Sequence, residues 1–256
     1  MFTPGYGAAG VPANALGAVT FLNAATGNFA GGGGPISATN SLVGAAPGDR
    51  VGLFPGFDFA NYRVEGNYAF ISSPGYAGGA GAITAMRTSD GQIVGAAANS
   101  GAVIGAGNSF VGASSAAPIG NNGTERFSLW LAVKSFSAAD PGALTFINVN
   151  TGLTASGAAS GVVGAANSFV GSNVGDLSGA SLDTLSDFNH LVLRSPNWGG
   201  NRRGAVTWLD RATATDSQGA TFGAITNANS VVGQYANDAV GASPMDRVIS
   251  GTFFVR

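Results

Sequence analysis

Residues 204–208 read Gly-Ala-Val-Thr-Trp, and the pattern Gly-Ala-(Val/Ile/Leu)-Thr occurs four times in this chain of 256 residues. Its copies are 64, 61 and 62 residues apart and begin at Gly17, Gly81, Gly142 and Gly204. A second marker, Asn-Ser-(Leu/Phe/Val)-Val-Gly, follows each copy by 23 to 27 residues and begins at Asn40, Asn108, Asn167 and Asn229. Self-similarity at a fixed period is the signature of a repeat protein. The sequence therefore predicts four repeats of about 62 residues.

Two further elements keep the same order around these markers. An apolar run ending in Ser-Pro precedes the first marker at residues 68–74 and 191–196, and an aspartate follows the second marker at Asp49, Asp176 and Asp238. The chain ends in Gly-Thr-Phe-Phe-Val-Arg and begins with Met-Phe-Thr-Pro-Gly-Tyr, which match the two halves of such a run. We therefore predict one repeat domain over residues 1–256, with the last unit completed by the N-terminus. Its units span approximately residues 1–62, 63–127, 128–188 and 189–256.

Short β-strands dominate the local pattern within each unit. Runs of four to six β-branched and aromatic residues, such as Val206-Thr-Trp208 and Leu144-Thr-Phe146, are bounded by Gly, Pro, Asn and Asp. No segment shows sustained apolar spacing of the helical type. About four strands recur in each unit, which predicts an all-β fold, a β-propeller of four four-stranded blades. A β-helix or another solenoid is the alternative, and its shorter coils would require three dissimilar coils in each unit.

The composition excludes several classes of protein. The chain has 42 glycines, 9% charged residues, a formal net charge of −2 and no cysteine. Nucleic-acid binding needs massed Lys and Arg, so the composition argues against it. Disulfide scaffolds and thiolate metal sites need cysteine. Every apolar stretch is interrupted within a few residues, so no membrane insertion is expected.

The residues that carry catalytic chemistry are scarce. The single histidine, His190, precedes an apolar run, and we interpret it as a strand-edge or turn residue rather than a general base. No Gly-x-Ser-x-Gly nucleophile motif accompanies it. We therefore predict no catalytic residues and a protein that is not an enzyme.

Three sets of recurring residues are candidates for binding. Asp49, Asp176 and Asp238 could each supply one carboxylate to a Ca²⁺ site, although Ca²⁺ usually needs several, and an Asx-turn is the alternative. The aromatic residues after the Ser-Pro turn, which are Tyr6, Tyr76 and Trp198, could stack on sugar rings or pack in the core. The asparagines of the second marker could cap turns or form a repeated face for ice or sugar. No cofactor other than Ca²⁺ is considered.

The repeats resemble those of a known class of surface protein. Ser-Pro-Asn-Trp at 195–198, Gly-Ala-Val-Thr-Trp at 204–208 and Asn-Ser-Val-Val-Gly at 229–233 look like repeats of large bacterial filamentous-haemagglutinin and adhesin-type proteins. They are more distantly similar to the FG-GAP blades of integrin-type propellers, but the Asp-x-Asp-x-Asp-Gly calcium loop of those blades is absent. The resemblance implies a surface location and adhesion, and implies no chemistry.

These observations together predict a non-enzymatic, structural or adhesive β-repeat module, secreted or displayed on a bacterial surface. Its partner would be a glycan or a protein surface. One alternative is a lectin-like propeller that uses Tyr6, Tyr76 and Trp198. A second alternative is a subunit that assembles into a homo-oligomer, filament or sheath, because the charge is low and the two ends of the chain complement each other.

Overall fold

The computed structural model describes residues 1–3, 5–7, 14–52, 62–96, 101–120, 123–185 and 187–243, and these are almost entirely β-strands and turns. Contacts between Cα atoms divide the chain into two compact units. The first unit contains residues 1–120, 148–153 and 158–163. The second contains residues 121–147, 154–157 and 164–256.

The first unit contains two sheets. The first sheet has the order β1-β2-β3-β7. Its strands are β1 (Phe2–Thr3), β2 (Ala18–Val19), β3 (Leu42–Val43) and β7 (Ala102–Val103). The second sheet combines β4 (Tyr62–Glu65), β5 (Tyr68–Ser73), β6 (Ala82–Arg87), β8 (Phe110–Val111) and β12 (Gly161–Val162) in the order β12-β8-β6-β5-β4. A tight turn over Tyr76–Gly79, in which Ala77 and Gly78 have positive φ, lies between β5 and β6.

The second unit also contains two sheets. Its five-stranded sheet consists of β9 (Thr124–Phe127), β10 (Trp130–Ser135), β11 (Ala143–Asn148), β13 (Phe169–Val170) and β17 (Gly223–Ala224), in the order β17-β13-β11-β10-β9. The other sheet consists of β14 (Ser181–Thr184), β15 (His190–Ser195), β16 (Ala205–Asp210) and β18 (Ser230–Val232), in that order. A turn over Trp198–Arg202, in which Gly199, Gly200 and Asn201 have positive φ, connects β15 to β16.

Each repeat places its two markers on neighbouring antiparallel strands. The Gly-Ala-x-Thr marker lies on β2, β6, β11 or β16, and the Asn-Ser-x-Val marker continues into the strand paired with it. Three sheets then gain a short parallel strand from the following repeat: β7 pairs with β3, β12 with β8, and β17 with β13. Neighbouring repeats are therefore joined by main-chain hydrogen bonds as well as by packing.

Aliphatic side chains dominate the buried cluster of the first unit, and aromatic side chains join them in the second. In the first unit, Leu42, Ile71, Ile93 and Ile104 belong to one buried cluster. In the second unit, Phe146, Phe169 and Leu193 belong to another, and the Phe146 and Phe169 rings meet edge to face at 6.4 Å. Burial of large apolar side chains is the main stabilising term for such sheets, at roughly 1.5–3 kcal/mol for each side chain.

The structure confirms the predicted all-β repeat organisation. β1 pairs antiparallel with β2, Phe2 with Val19 and Thr3 with Ala18, and completion of the last unit by the N-terminus stays a prediction. The C-terminal segment, residues 251–256, lies outside the described residues. Within the described ranges, no helix has the length and apolar character needed to span a bilayer.

Candidate functional site

A polar network recurs in all four repeats, and its Thr–Ser pair is buried in the first three and partly buried in the fourth. The threonine of the first marker shares a hydrogen bond with the serine of the second marker at 2.6–2.7 Å in each repeat. The pairs are Thr20–Ser41, Thr84–Ser109, Thr145–Ser168 and Thr207–Ser230. Each serine also donates to the side-chain oxygen of the preceding asparagine at 2.9–3.0 Å.

The marker asparagines close the turn in front of their strand. The Asn229 side-chain oxygen accepts the amide of Thr226 at 2.9 Å, and its side-chain amide donates to the Ala224 carbonyl at 3.1 Å and to an Asp216 carboxylate oxygen at 2.9 Å. Asn108 makes the same backbone contacts with Gly105 and Val103, at 3.0 and 2.9 Å. A side chain that bonds its local backbone competes with regular structure and fixes a turn. The asparagines therefore act inside each repeat.

The aspartates that were candidate metal ligands bind backbone amides of their own loops. One Asp49 oxygen accepts the amides of Ala45 and Ala46 at 2.7 and 2.8 Å. Asp176 accepts the amides of Ser172 and Asn173, both at 2.8 Å, through one oxygen. Its second oxygen accepts the amide of Gly199 at 2.9 Å, so this carboxylate also fixes the turn after β15.

The third aspartate and the second repeat show how this loop varies. Asp238 is exposed and accepts the amide of Tyr235 at 2.7 Å. The second repeat has Ala117 at the equivalent place, and the Ala117 amide still closes the same turn on Ser114, at 3.2 Å. Among the described residues, no group of three or more His, Asp or Glu side chains is placed to hold a metal ion. Ca²⁺ binding at Asp49, Asp176 and Asp238 stays a prediction.

The three candidate sugar-stacking residues contribute to packing within their repeats. The Tyr6 hydroxyl donates to the Ile36 carbonyl, and the Trp198 indole nitrogen donates to the Ile225 carbonyl, both at 3.0 Å. Tyr76 is half-buried and packs against the core of the first unit. Trp198 is only 6% exposed, and the guanidinium of Arg203 lies 5.2 Å from its ring centre. Glycan stacking on these residues stays a prediction, and Trp198 offers it little open ring surface.

His190 is the first residue of β15, in line with the strand-edge interpretation. Its ring nitrogen Nδ1 contacts Asp187, and its ring lies 4.7 Å from that of Trp208. The hydrogen bond from the His190 side chain lowers the pKa of the Asp187 carboxyl below its ordinary value. The arrangement fixes the orientation of the imidazole, whose plane is tilted by 36° from that of the Trp208 ring.

An exposed aromatic residue beside this pair was not singled out from the sequence. Phe188 is 71% exposed and has a positive φ of 58°. Its carbonyl accepts a hydrogen bond from Arg211 at 2.7 Å, and its amide donates to Leu185 at 2.9 Å. A positive φ is uncommon for a bulky residue. The only sequence signal was an aromatic residue between Asp187 and Asn189, two residue types that favour turns.

The fold and the recurring network define an all-β repeat protein. A family model described as "Repeat of unknown function (DUF5650)" matches residues 9–53, 134–180 and 184–242, which is more than half of the chain. The chain belongs to this family. The second repeat lies outside the matched segments but contains the same Thr-Ser-Asn network. Comparison with curated proteins gave no match, and comparison with solved structures gave none either.

Proposed function

We propose that the chain is a non-enzymatic structural module, a rigid β-repeat scaffold that is secreted or displayed on a bacterial surface and presents side chains to a partner. The observation that carries this proposal is the Thr-Ser-Asn network. The most regularly repeated polar side chains of the described repeats hydrogen-bond to one another and to their own turns. Such satisfied buried networks rigidify a fold and specify one arrangement of it.

We further propose that the four sheets are blades of a β-propeller. In the described sheets, strands of one repeat pair antiparallel, and parallel pairing occurs where β7, β12 and β17 join the preceding repeat. A β-helix stacks its coils in parallel register throughout, so the antiparallel order favours blades over a solenoid.

Phe188 supports a role in adhesion. An aromatic side chain held by a fixed backbone offers a large apolar contact at a low cost in conformational entropy, and Phe is enriched with Tyr and Trp in the cores of protein interfaces. The amide and carbonyl of Phe188 are both hydrogen-bonded, so its turn is already ordered before a partner arrives. We assign no cofactor to this function.

The test is an adhesion assay with beads coated with the whole chain. The beads are presented to immobilised glycans, extracellular-matrix proteins and intact cells, and retention under flow is measured. Phe188→Ser should reduce retention at least tenfold. Val174→Ser is the matched control, because Val174 is also exposed and lies in another loop, and it should leave retention unchanged.

Three outcomes separate the possible functions. No retention on any surface, or full retention of Phe188→Ser, contradicts adhesion through Phe188. Retention confined to glycans and lost in Trp198→Ala would favour the lectin alternative. Turnover of a substrate by the chain would contradict the non-enzymatic proposal.

A further inference from the structure

The junction between neighbouring repeats follows one rule in three places. The residues six and four positions before the marker asparagine donate their amides to the marker strand of the preceding repeat. Ala102 and Ile104 donate to Ser41 and Val43 at 3.0 and 2.9 Å. At the next junction, Gly161 donates to Ser109 at 3.0 Å and Val163 donates to Val111 at 2.9 Å. At the third junction, Gly223 donates to Ser168 at 3.0 Å and Ile225 donates to Val170 at 2.9 Å.

In the part of the chain that the structure describes, no such strand lies on the outer edge of the marker strand of the fourth repeat. Within the described residues, β18 pairs only with β16. The third residue of the marker is fully covered in the other repeats, where Leu42, Phe110 and Phe169 are 0–1% exposed. Its equivalent in β18, Val231, is 57% exposed. The fourth repeat thus has an acceptor edge and an apolar side chain that are both uncovered.

The first repeat contains the equivalent donor segment, and its amides bind no strand in the described part of the chain. Residues 34–36, Gly-Pro-Ile, stand six to four positions before Asn40. The amides of Gly34 and Ile36 make no hydrogen bond within the described part of the chain, and Ile36 is only half-buried, whereas Ile104, Val163 and Ile225 are buried. Pro35 occupies the middle position, whose amide the junction does not use. Proline is tolerated in a strand where its missing N–H would face away from the ladder.

A second contact of the junction, made by the hairpin after the first marker, is also uncovered in the first repeat. The hairpin of the second repeat packs with Gly91 against the Phe21 side chain of the first repeat. The contact is so close that a Cβ added at Gly91 would lie 2.4 Å from the Phe21 ring. The hairpin of the fourth repeat also contacts an aromatic residue of the preceding repeat, because the Trp130 indole donates a 2.8 Å hydrogen bond to the Ala212 carbonyl. The equivalent hairpin of the first repeat is open, because nothing lies within 4 Å of a Cβ at Gly27.

We propose that the acceptor face of one copy binds the donor face of a second copy. The acceptor face is Ser230–Val232 with Trp208 and His190, and the donor face is residues 34–36 with the hairpin at residues 23–27. Residues 34–36 of one copy add a parallel strand to β18 of the next, with the amides of Gly34 and Ile36 donating to the carbonyls of Ser230 and Val232. Ile36 and Val231 then become buried together.

The two faces differ, so the association is head-to-tail. Such an interface gives a closed ring when the rotation between copies closes and a filament when it does not. Addition of a strand to an exposed sheet edge is a common mode of protein recognition, with affinity from main-chain hydrogen bonds and specificity from side-chain pockets. A second copy of the chain is thus a partner of the proposed scaffold. This proposal rests on the scaffold function only because association through these faces requires folded repeats.

The test uses sedimentation velocity and light scattering of the full chain over a range of concentrations. The wild-type chain should associate reversibly. Val231→Asp places a charge on the acceptor edge and Ile36→Asp places one on the donor segment, and each should weaken association at least tenfold. Val174→Asp is the control, because Val174 is an exposed valine outside both faces, and it should associate like the wild type.

Mixing the two disrupted variants gives the sharpest result. Val231→Asp keeps an intact donor face and Ile36→Asp an intact acceptor face, so an equimolar mixture should form a 1:1 dimer and nothing larger. A wild-type chain that stays monomeric at every concentration overturns the proposal, as does an unchanged mass for both variants. If Val231→Asp fails to fold by circular dichroism, Ile36→Asp decides alone. Bead retention through Phe188 is measured separately from association between copies. The adhesion proposal and the association proposal can therefore fail independently.

Discussion

Replacing Asn229 by alanine should destabilise the second unit by about 4 kcal/mol. The side chain accepts hydrogen bonds from the Thr226 amide and the Ser230 hydroxyl and donates to the Ala224 carbonyl and to the buried Asp216 carboxylate. A neutral hydrogen bond contributes a net ~1 kcal/mol, and one to a charged group about 1.5–3 kcal/mol. Ala224 is exposed, so water can replace its lost partner. The three remaining contacts give the expected value.

The assay is urea unfolding followed by tryptophan fluorescence. All three tryptophans of the chain, Trp130, Trp198 and Trp208, belong to the second unit, so the signal reports on that unit. The matched control is Asn227→Ala, in the same turn but with an exposed side chain, and its free energy of unfolding should change by less than about 0.5 kcal/mol. Equal stability of the two variants would refute the structural role assigned to the marker asparagines.

Three further predictions follow from the same contacts. Asp176→Ala removes the charged acceptor of three backbone amides, so it should lower the free energy of unfolding by about 4.5 kcal/mol in the same fluorescence assay. Ca²⁺ should not shift the wild-type transition, and a Ca²⁺-dependent shift would instead favour the metal hypothesis. Gly91 and Gly27 both have a positive φ, but only Gly91 lies against an aromatic ring. Gly91→Ala should therefore lower the free energy of unfolding by about 2 kcal/mol more than Gly27→Ala in thermal unfolding, and equal losses would count against the packed hairpin. His190→Gln should raise the pKa of Asp187 towards its ordinary value in a carboxyl NMR titration, and an unchanged titration would show that His190 does not hold this carboxylate.

The repeats and their strands could be predicted from the sequence because both depend on local patterns. Markers at a fixed period located every repeat, and β-branched runs between turn residues located strands such as β16. The structural interpretation of the asparagines agreed with the contacts of Asn108 and Asn229, since an asparagine bonds mainly to backbone within a few residues of itself.

The junctions could not be predicted because their signal is not local. β7, β12 and β17 are two-residue strands made of Gly, Ala and Val, and they carry no alternating pattern. Their pairing depends on main-chain groups, which every residue except proline possesses. Phe188 was missed for a similar reason, since a single aromatic residue in a turn does not reveal whether its side chain faces the core or solvent.

The central claim is that neighbouring repeats are joined by main-chain hydrogen bonds to one short strand, and amide hydrogen exchange tests it most directly. The amides of Ile104, Val163 and Ile225 donate across the junctions, whereas that of Ile36 has no acceptor in the described residues. In dilute solution the first three should exchange slowly, with protection well above that of Ile36. Ile36 should gain protection as the concentration rises and copies associate. Fast exchange at Ile104, Val163 and Ile225 would contradict the account.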